Sequence, residues 1–283
     1  MNNLMQVGIV GHGYVGRATA LVECSNIKTF IYDKDLTKCE PLGVHLRELA
    51  PCCLIFICVP TPSREDGSCD ASIVESVINE LVSYGVSLNR IVVRSTVPVG
   101  FCKRMGVNFM PEFLTESNWE EDFINNQNWV FGINSGPFDP FDGIEYFKKM
   151  VDLAHKEGKI KSNIIHVTST ESAEAVKLVR NSFLALKVSF FNEVHEFCRK
   201  KDLNFETVSR CVSLDERIGS SHTEVPGPDG KRGFGGACFP KDTKSLLNQM
   251  QNSYMKSYVL KAAIDRNDEV DRNKYLDEFN ILL

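Results

Sequence analysis

The sequence predicts an α/β domain built on a doubly wound parallel sheet, followed by an all-helical domain that is entered through one long helix. Three observations carry this. Short apolar runs alternate with helix-period segments up to residue 167. At Thr168 the strand pattern stops and a single apolar helical stripe of roughly 30 residues begins. A glycine-rich turn joins the first strand to the first helix, as a tight strand-to-helix crossover requires.

The expected strands are Met5–Val10, Lys28–Tyr32, Leu54–Val59, Arg90–Ser95, Val107–Met110, Val130–Ile133 and Ile164–Val167. Helical patterns lie between them, at Arg17–Glu23, Ser72–Tyr84 and Gly143–His155. Thr168 fits a helix cap, with Glu171 three residues on completing a capping box. The domain boundary is therefore placed between 167 and 168. In the helix that follows, Val176, Val179, Phe183, Leu186, Phe190, Val194 and Phe197 form one stripe. That stripe exceeds what a small helical domain should bury, so a homodimer built through it is expected. Residues 205–213, 241–251 and 258–282 also read as helical, around a Gly- and Pro-rich loop at 219–236.

Composition narrows the function classes. The 283 residues suffice for two domains, and 43% hydrophobic with 24% charged residues is ordinary for a globular chain. A net charge of −5 with mixed signs argues against nucleic acid as partner, because phosphate backbones need a concentrated basic face. No apolar run is long enough for a membrane span, and the N-terminus lacks the layout of a secretory signal. The ten cysteines are irregularly spaced, and Cys52, Cys53 and Cys58 sit in apolar runs. They read as thiols of a reducing cytosol, so a cytoplasmic location is expected. Cys52-Cys53 and Cys69 lack zinc spacing, and no metal site is expected.

The strand 6–10 runs into Gly11-His-Gly13-Tyr14-Val15-Gly16 and then a helix. This is G-x-G-x-x-G in its proper context. Gly11 permits the turn, Gly13 lets backbone approach a pyrophosphate, and Gly16 lets helix and strand pack closely. The second strand ends at Asp33, 22 residues after Gly11. A carboxylate there accepts both ribose hydroxyls and repels a 2′-phosphate, which points to NAD over NADP in a Rossmann-like unit.

Gly233-Phe234-Gly235-Gly-Ala-Cys238-Phe-Pro-Lys241-Asp242 is the most informative segment. Its glycines let main chain lie against a ligand and lead directly to a cysteine. If Pro240 opens a helix, Lys241 and Asp242 lie in its first turn, and the positive helix end favours a Cys238 thiolate.

This segment, together with Gly11–Gly16, Val59-Pro-Thr61-Pro62, Ser95-Thr96-Val-Pro-Val-Gly100, Pro111-Glu112-Phe113-Leu114-Thr-Glu116, Lys177-Leu-Val-Arg-Asn181 and Asp215-Glu-Arg217-Ile-Gly219, resembles the UDP-glucose/GDP-mannose dehydrogenases along essentially the whole chain. The resemblance implies a four-electron oxidation of a sugar C6 alcohol with two NAD, through a thioester on Cys238. It implies that Lys177 stabilises an oxyanion, that Asn181 donates a hydrogen bond, and that Glu112 and Asp242 handle protons and the hydrolytic water. Thr96 matches a hydroxyl near the nicotinamide. Asp33, Lys38, Val59, Thr61, Glu116 and Lys241 match cofactor contacts, as do Tyr14 and Val15 within the glycine turn. Phe113, Leu114, Phe234 and Gly235 match substrate contacts, as do Lys177 and Asn181. Arg217 matches an arginine that reaches the neighbouring subunit's sugar. UDP-glucose is the favoured nucleotide sugar.

Members of that family usually continue into a third, nucleotide-binding domain, whereas this sequence stops at Leu283. A shortened chain, a naturally minimal form and a partner that supplies the missing half all fit. Two other readings stay open. One is a two-electron β-hydroxyacid dehydrogenase, which shares the glycine turn and a helical Lys-x-x-x-Asn but needs no thiol. The other is a non-catalytic NAD-binding module.

Overall fold

The computed structural model describes residues 4–134 and 143–273. Seven strands form one sheet: β1 (Met5–Val10), β2 (Ile27–Tyr32), β3 (Leu54–Ile57), β4 (Ile91–Val93), β5 (Asn108–Phe109), β6 (Trp129–Ile133) and β7 (Ile165–Ser169), in the order β2-β1-β3-β4-β5-β6-β7. The helices are α1 (Tyr14–Ala20), α2 (Ser72–Ser83), α3 (Phe101–Met105), α4 (Trp119–Ile124), α5 (Gly143–Lys156), α6 (Thr170–Lys200), α7 (Phe205–Val212), α8 (Phe239–Asn252) and α9 (Tyr258–Arg266). Among the described residues, no helix is long and apolar enough to cross a membrane.

The chain divides into two compact units. The first comprises the residues up to Pro62 and Asp70–Lys177. Its central strands are apolar along their whole length because helices cover both faces; all four residues of β3 are buried. On one face Ile55, Ile57 and Val93 pack against Val74, Ile78 and Leu81 of α2 and against Phe101 of α3. On the other, Phe56 and Val92 pack against Ala18 of α1, Phe123 of α4 and Phe147 of α5. This is the doubly wound arrangement expected. One pairing departs from it: β5 and β6 are antiparallel, joined at Phe109 and Gly132. The chain between them carries only the short α4 and enters β6 from the end at which β5 left. A parallel pair would need a crossover that returns along the sheet.

The second unit comprises Ser63–Cys69 and the residues from Leu178 onward. One small core gathers Ala185 of α6, Phe234, and Leu260 and Ile264 of α9. Another gathers Phe191 and Cys198 of α6 with Phe205 of α7. The division falls inside α6 rather than at 167/168, because the first turns of that helix pack on the sheet through Ala173.

The expected cap is displaced as well. Thr168 belongs to β7, and α6 starts at Thr170. Ser169 caps it, its Oγ accepting the Ser172 N–H at 3.2 Å. Glu171 makes no capping box and pairs with Lys103 at 2.6 Å. The last expected helix, 258–282, narrows to α9 and a wide turn at Asn267–Asp271; 274–282 lie outside the described residues.

The start of α6 lies so close to β6 that a Cβ on Gly132 would meet Ala173 Cβ at 2.7 Å and Thr170 Cα at 2.9 Å. Gly132→Ala is therefore expected to cost about 1–3 kcal/mol by overpacking. Urea unfolding measures it; an unchanged midpoint would contradict this packing.

Candidate active site

The glycine turn behaves as its sequence implies. Gly11 has φ +101°, and a Cβ there would lie 2.7 Å from Cys58 O. A Cβ on Gly16 would lie 1.9 Å from Gly11 O, so α1 can pack here only without a side chain. At Gly13 nothing lies within 4 Å of the Cβ position, which leaves the open cradle that a pyrophosphate needs. Asp33 follows β2. Its Oδ2 accepts the His12 N–H at 2.8 Å and its Oδ1 accepts the Asp35 N–H at 2.9 Å. Tyr14 and Val15 are half-buried, and Lys38 is exposed with its ammonium 3.3 Å from Asp35. These residues fit the adenosine and phosphate parts of a dinucleotide.

Further along the sheet edge, Ser95 Oγ donates to Val59 O at 2.6 Å, which ties the Val59–Thr61 turn to the loop that carries Thr96. Thr61 and Thr96 are both buried. Glu112 and Lys177 form a buried ion pair, 5% and 1% exposed. Lys177 Nζ also donates to Glu112 O at 3.1 Å, and Glu112 Oε2 accepts the Leu114 N–H at 2.8 Å. Burial alone would push the Glu112 carboxyl up. The Lys177 ammonium, the Leu114 N–H and the Arg94 charge outweigh it and hold Glu112 below its ordinary value. Phe113 and Leu114 are half-buried beside it, whereas Glu116 is exposed in the turn before α4.

The cysteine frame belongs to the second unit. Helix α8 begins at Phe239 with Pro240 in its first turn, and Cys238, half-buried, is its cap residue. A proline without an N–H suits that position. Asp242 is fully buried. Its Oδ2 accepts from Asn181 Nδ2 at 2.6 Å and its Oδ1 from Lys241 Nζ at 2.5 Å. The glycine run ahead of the cysteine is fixed from behind: Asn192 Oδ1 accepts the Gly233 N–H at 3.1 Å, and Asn267 Oδ1 accepts the Phe234 N–H at 2.8 Å. Arg272 also donates to Gly233 O, at 3.2 Å, on the stretch that leads to Gly235. Arg217 is turned onto its own Asp215 at 2.5 Å and is otherwise exposed. A cavity of about 540 Å³ lies beside the frame, lined by Ser63–Gly67, Gly236, Ala237, Lys241 and Lys244.

Residues 45–139 match the NAD binding domain of the UDP-glucose/GDP-mannose dehydrogenase family, and residues 171–269 match that family's central domain. The chain belongs to this family. A UDP-glucose 6-dehydrogenase of Rickettsia felis is 34% identical over 242 residues, covering 82% of this chain and 51% of the relative. The chain thus spans about half the length of such curated relatives. Among solved structures, a UDP-glucose dehydrogenase from Pyrobaculum islandicum is 26% identical with a TM-score of 0.76, over 94% of this chain and 68% of that one. A 3-hydroxyisobutyrate dehydrogenase of Mycobacterium tuberculosis shares the fold at 14% identity and TM-score 0.68, over 94% and 93% of the two chains.

Three contributors in this family member escape a reading of the sequence. Glu174, 1% exposed, accepts the Gly100 N–H at 2.6 Å and the Cys102 N–H at 2.7 Å, anchoring the loop after Thr96 to α6. It lies one turn before Lys177, and that spacing was its only signal. Arg94, 2% exposed, donates to Thr19 Oγ1 at 2.5 Å beneath α1. The turn Ser63–Cys69 joins the second unit, where Asn248 Nδ2 donates to Asp66 O at 3.2 Å.

Removing Lys177 should expose the energetics of the buried pair. Lys177→Met leaves the burial of Glu112 opposed only by the Leu114 N–H and the Arg94 charge, and a loss of about 3–5 kcal/mol is expected at pH 8. The native carboxylate keeps its contribution until pH falls below its ordinary 4.5. The orphaned carboxyl, pushed up by burial, takes on a proton earlier. The gap between variant and wild type should therefore narrow from pH 8 to pH 5 in urea unfolding. A gap of the same size at both pH values would refute the assignment.

Proposed function

We propose that this chain is an NAD-dependent nucleotide-sugar dehydrogenase that oxidises the C6 alcohol of UDP-glucose, or of a closely related nucleotide sugar, to the carboxylate. The observation that carries the reading is Cys238 at the mouth of α8, four residues before a fully buried Asp242 held by Asn181 and Lys241. Oxidation of an alcohol to a carbonyl needs no thiol, and the fold alone is shared with two-electron enzymes. A cysteine set in this frame suits a reaction that continues to the acid.

NAD, when bound, accepts the two hydrides, one per dinucleotide. The chain's own residues do the rest. Lys177 and Asn181, one turn apart on α6, offer an ammonium and an amide N–H to the alcohol oxygen as it becomes an aldehyde. The Cys238 sulfur adds to that aldehyde, and the resulting thiohemiacetal loses its remaining carbinol hydride to become a thioester. Water then cleaves the C–S bond, which releases the carboxylate and restores the thiol. Glu112, held ionised by Lys177, accepts the hydroxyl proton released with each hydride, passes it to solvent, and then accepts the proton of that water. Asp242 holds Asn181 and Lys241 in place and serves as the second proton carrier.

The same reading includes a homodimer through α6. Phe183, Phe190 and Phe197 are 55–64% exposed on that helix, and Val179 lies with them at 53%. Three phenyl rings spaced seven residues apart favour a second copy over water. In such a dimer Arg217 would exchange Asp215 for the neighbour's substrate.

Two outcomes follow. Cys238→Ser should lose acid production by several orders of magnitude while binding NAD as tightly as the wild type, because ester chemistry is far slower than thioester chemistry. Undiminished acid production by the serine variant would overturn the mechanism. Phe190→Glu should convert a dimer into a monomer by light scattering. A wild-type monomer at micromolar concentration would remove the dimer from the reading.

A further inference from the structure

We infer that His12 is a positioning residue for the adenosine half of the cofactor: it straps residues 33–40 to the glycine turn, so that Asp33 meets the ribose in one orientation. The inference rests on the dinucleotide reading above. His12 fills the variable position between Gly11 and Gly13, where the turn itself requires no side chain. Its main chain and its ring both reach the same segment. The backbone N–H donates to Asp33 Oδ2 at 2.8 Å. Ring Nδ1 lies 2.5 Å from Lys38 O, and ring Nε2 lies 3.4 Å from Glu40 Oε1. A carbonyl oxygen can only accept, so Nδ1 carries the proton and donates.

The segment is also tied to its own strand. Glu40 pairs antiparallel with Ile31, its N–H donating to Ile31 O at 2.9 Å and its carbonyl accepting the Ile31 N–H at 2.7 Å. Cys39 Sγ accepts the Asp33 N–H at 3.4 Å. Residues 34–38 between these ties are exposed. The His12 ring crosses from the glycine turn to this loop and bonds the carbonyl of Lys38 itself.

The consequence concerns Asp33. Its two oxygens are aimed by two backbone N–H groups, those of His12 and Asp35, and each oxygen keeps a lone pair for a ribose hydroxyl. The Asp35 donor is part of the strap. If the strap swings, Asp35 moves and Asp33 loses one of its two orienting bonds. The cofactor must then fix the loop as it binds, which weakens affinity without touching the hydride-transfer end.

The test compares wild type, His12→Ala and His12→Gln. Calorimetric titration gives the dissociation constant for NAD, and hydrogen exchange is followed on the cofactor-free protein. His12→Ala should bind NAD about tenfold more weakly, the scale of one lost orienting bond. Its thermal midpoint should stay near the wild-type value, and amides 34–39 should exchange faster. With saturating NAD its turnover should be nearly normal, so the loss appears in KM and not in kcat. His12→Gln, whose amide can donate to Lys38 O, should recover most of the affinity. Wild-type affinity in His12→Ala, or a glutamine variant as weak as the alanine one, would overturn the inference. A wild-type protein that binds no NAD would overturn the dinucleotide reading beneath it instead.

Discussion

The buried Lys177–Glu112 pair is the interaction on which the first unit's site depends. Two opposite charges almost removed from water carry a large desolvation cost, which only close pairing and further hydrogen bonds offset. Both further bonds are present, to the carbonyl of Glu112 and from the N–H of Leu114. The pair therefore fixes more than two side chains. It locks the turn 112–114 at the end of β5 and holds α6 against the sheet at one point. Glu174 does the same one turn earlier by closing over Gly100 and Cys102. Between these two anchors the loop carrying Thr96 has little freedom. In the proposed reaction the same pair sets an ionised carboxylate and an ammonium in one place.

In the second unit the organising group is Asp242, fully buried and bonded on both oxygens. It ties α8 to α6 through Asn181, so the cysteine at the start of α8 is held relative to the amide that faces the same oxygen in the proposed reaction. Asn192 and Asn267 restrain the glycine run by its backbone N–H groups. Gly236, next in the run, is exposed with nothing within 4 Å of its Cβ position.

Much of this was legible because burial writes itself into sequence. The central strands β1, β3 and β4 were visible as apolar runs since both faces of the sheet are covered there, and the cysteine frame was visible as three glycines leading directly to a cysteine. The misses have physical causes. Thr168, Ser169 and Thr170 all offer a capping hydroxyl, and pairing of β7 with β6 through Ser169 decided among them. The reversal of β6 depends on where its connection enters, which an apolar pattern does not encode. Glu174 reads as surface charge because its partners are backbone N–H groups, and these leave no mark in the sequence. The docking of Asp66 on Asn248 is hidden for the same reason: its acceptor is a main-chain carbonyl.

The central claim is that one sugar passes through two oxidations, the second of them as a thiohemiacetal on Cys238. The most direct measurement is the amount of NADH formed per nucleotide sugar consumed, with the product identified by mass. The account predicts two NADH per sugar and a carboxylate at C6. One NADH per sugar, with an aldehyde or ketone as the product, would contradict it.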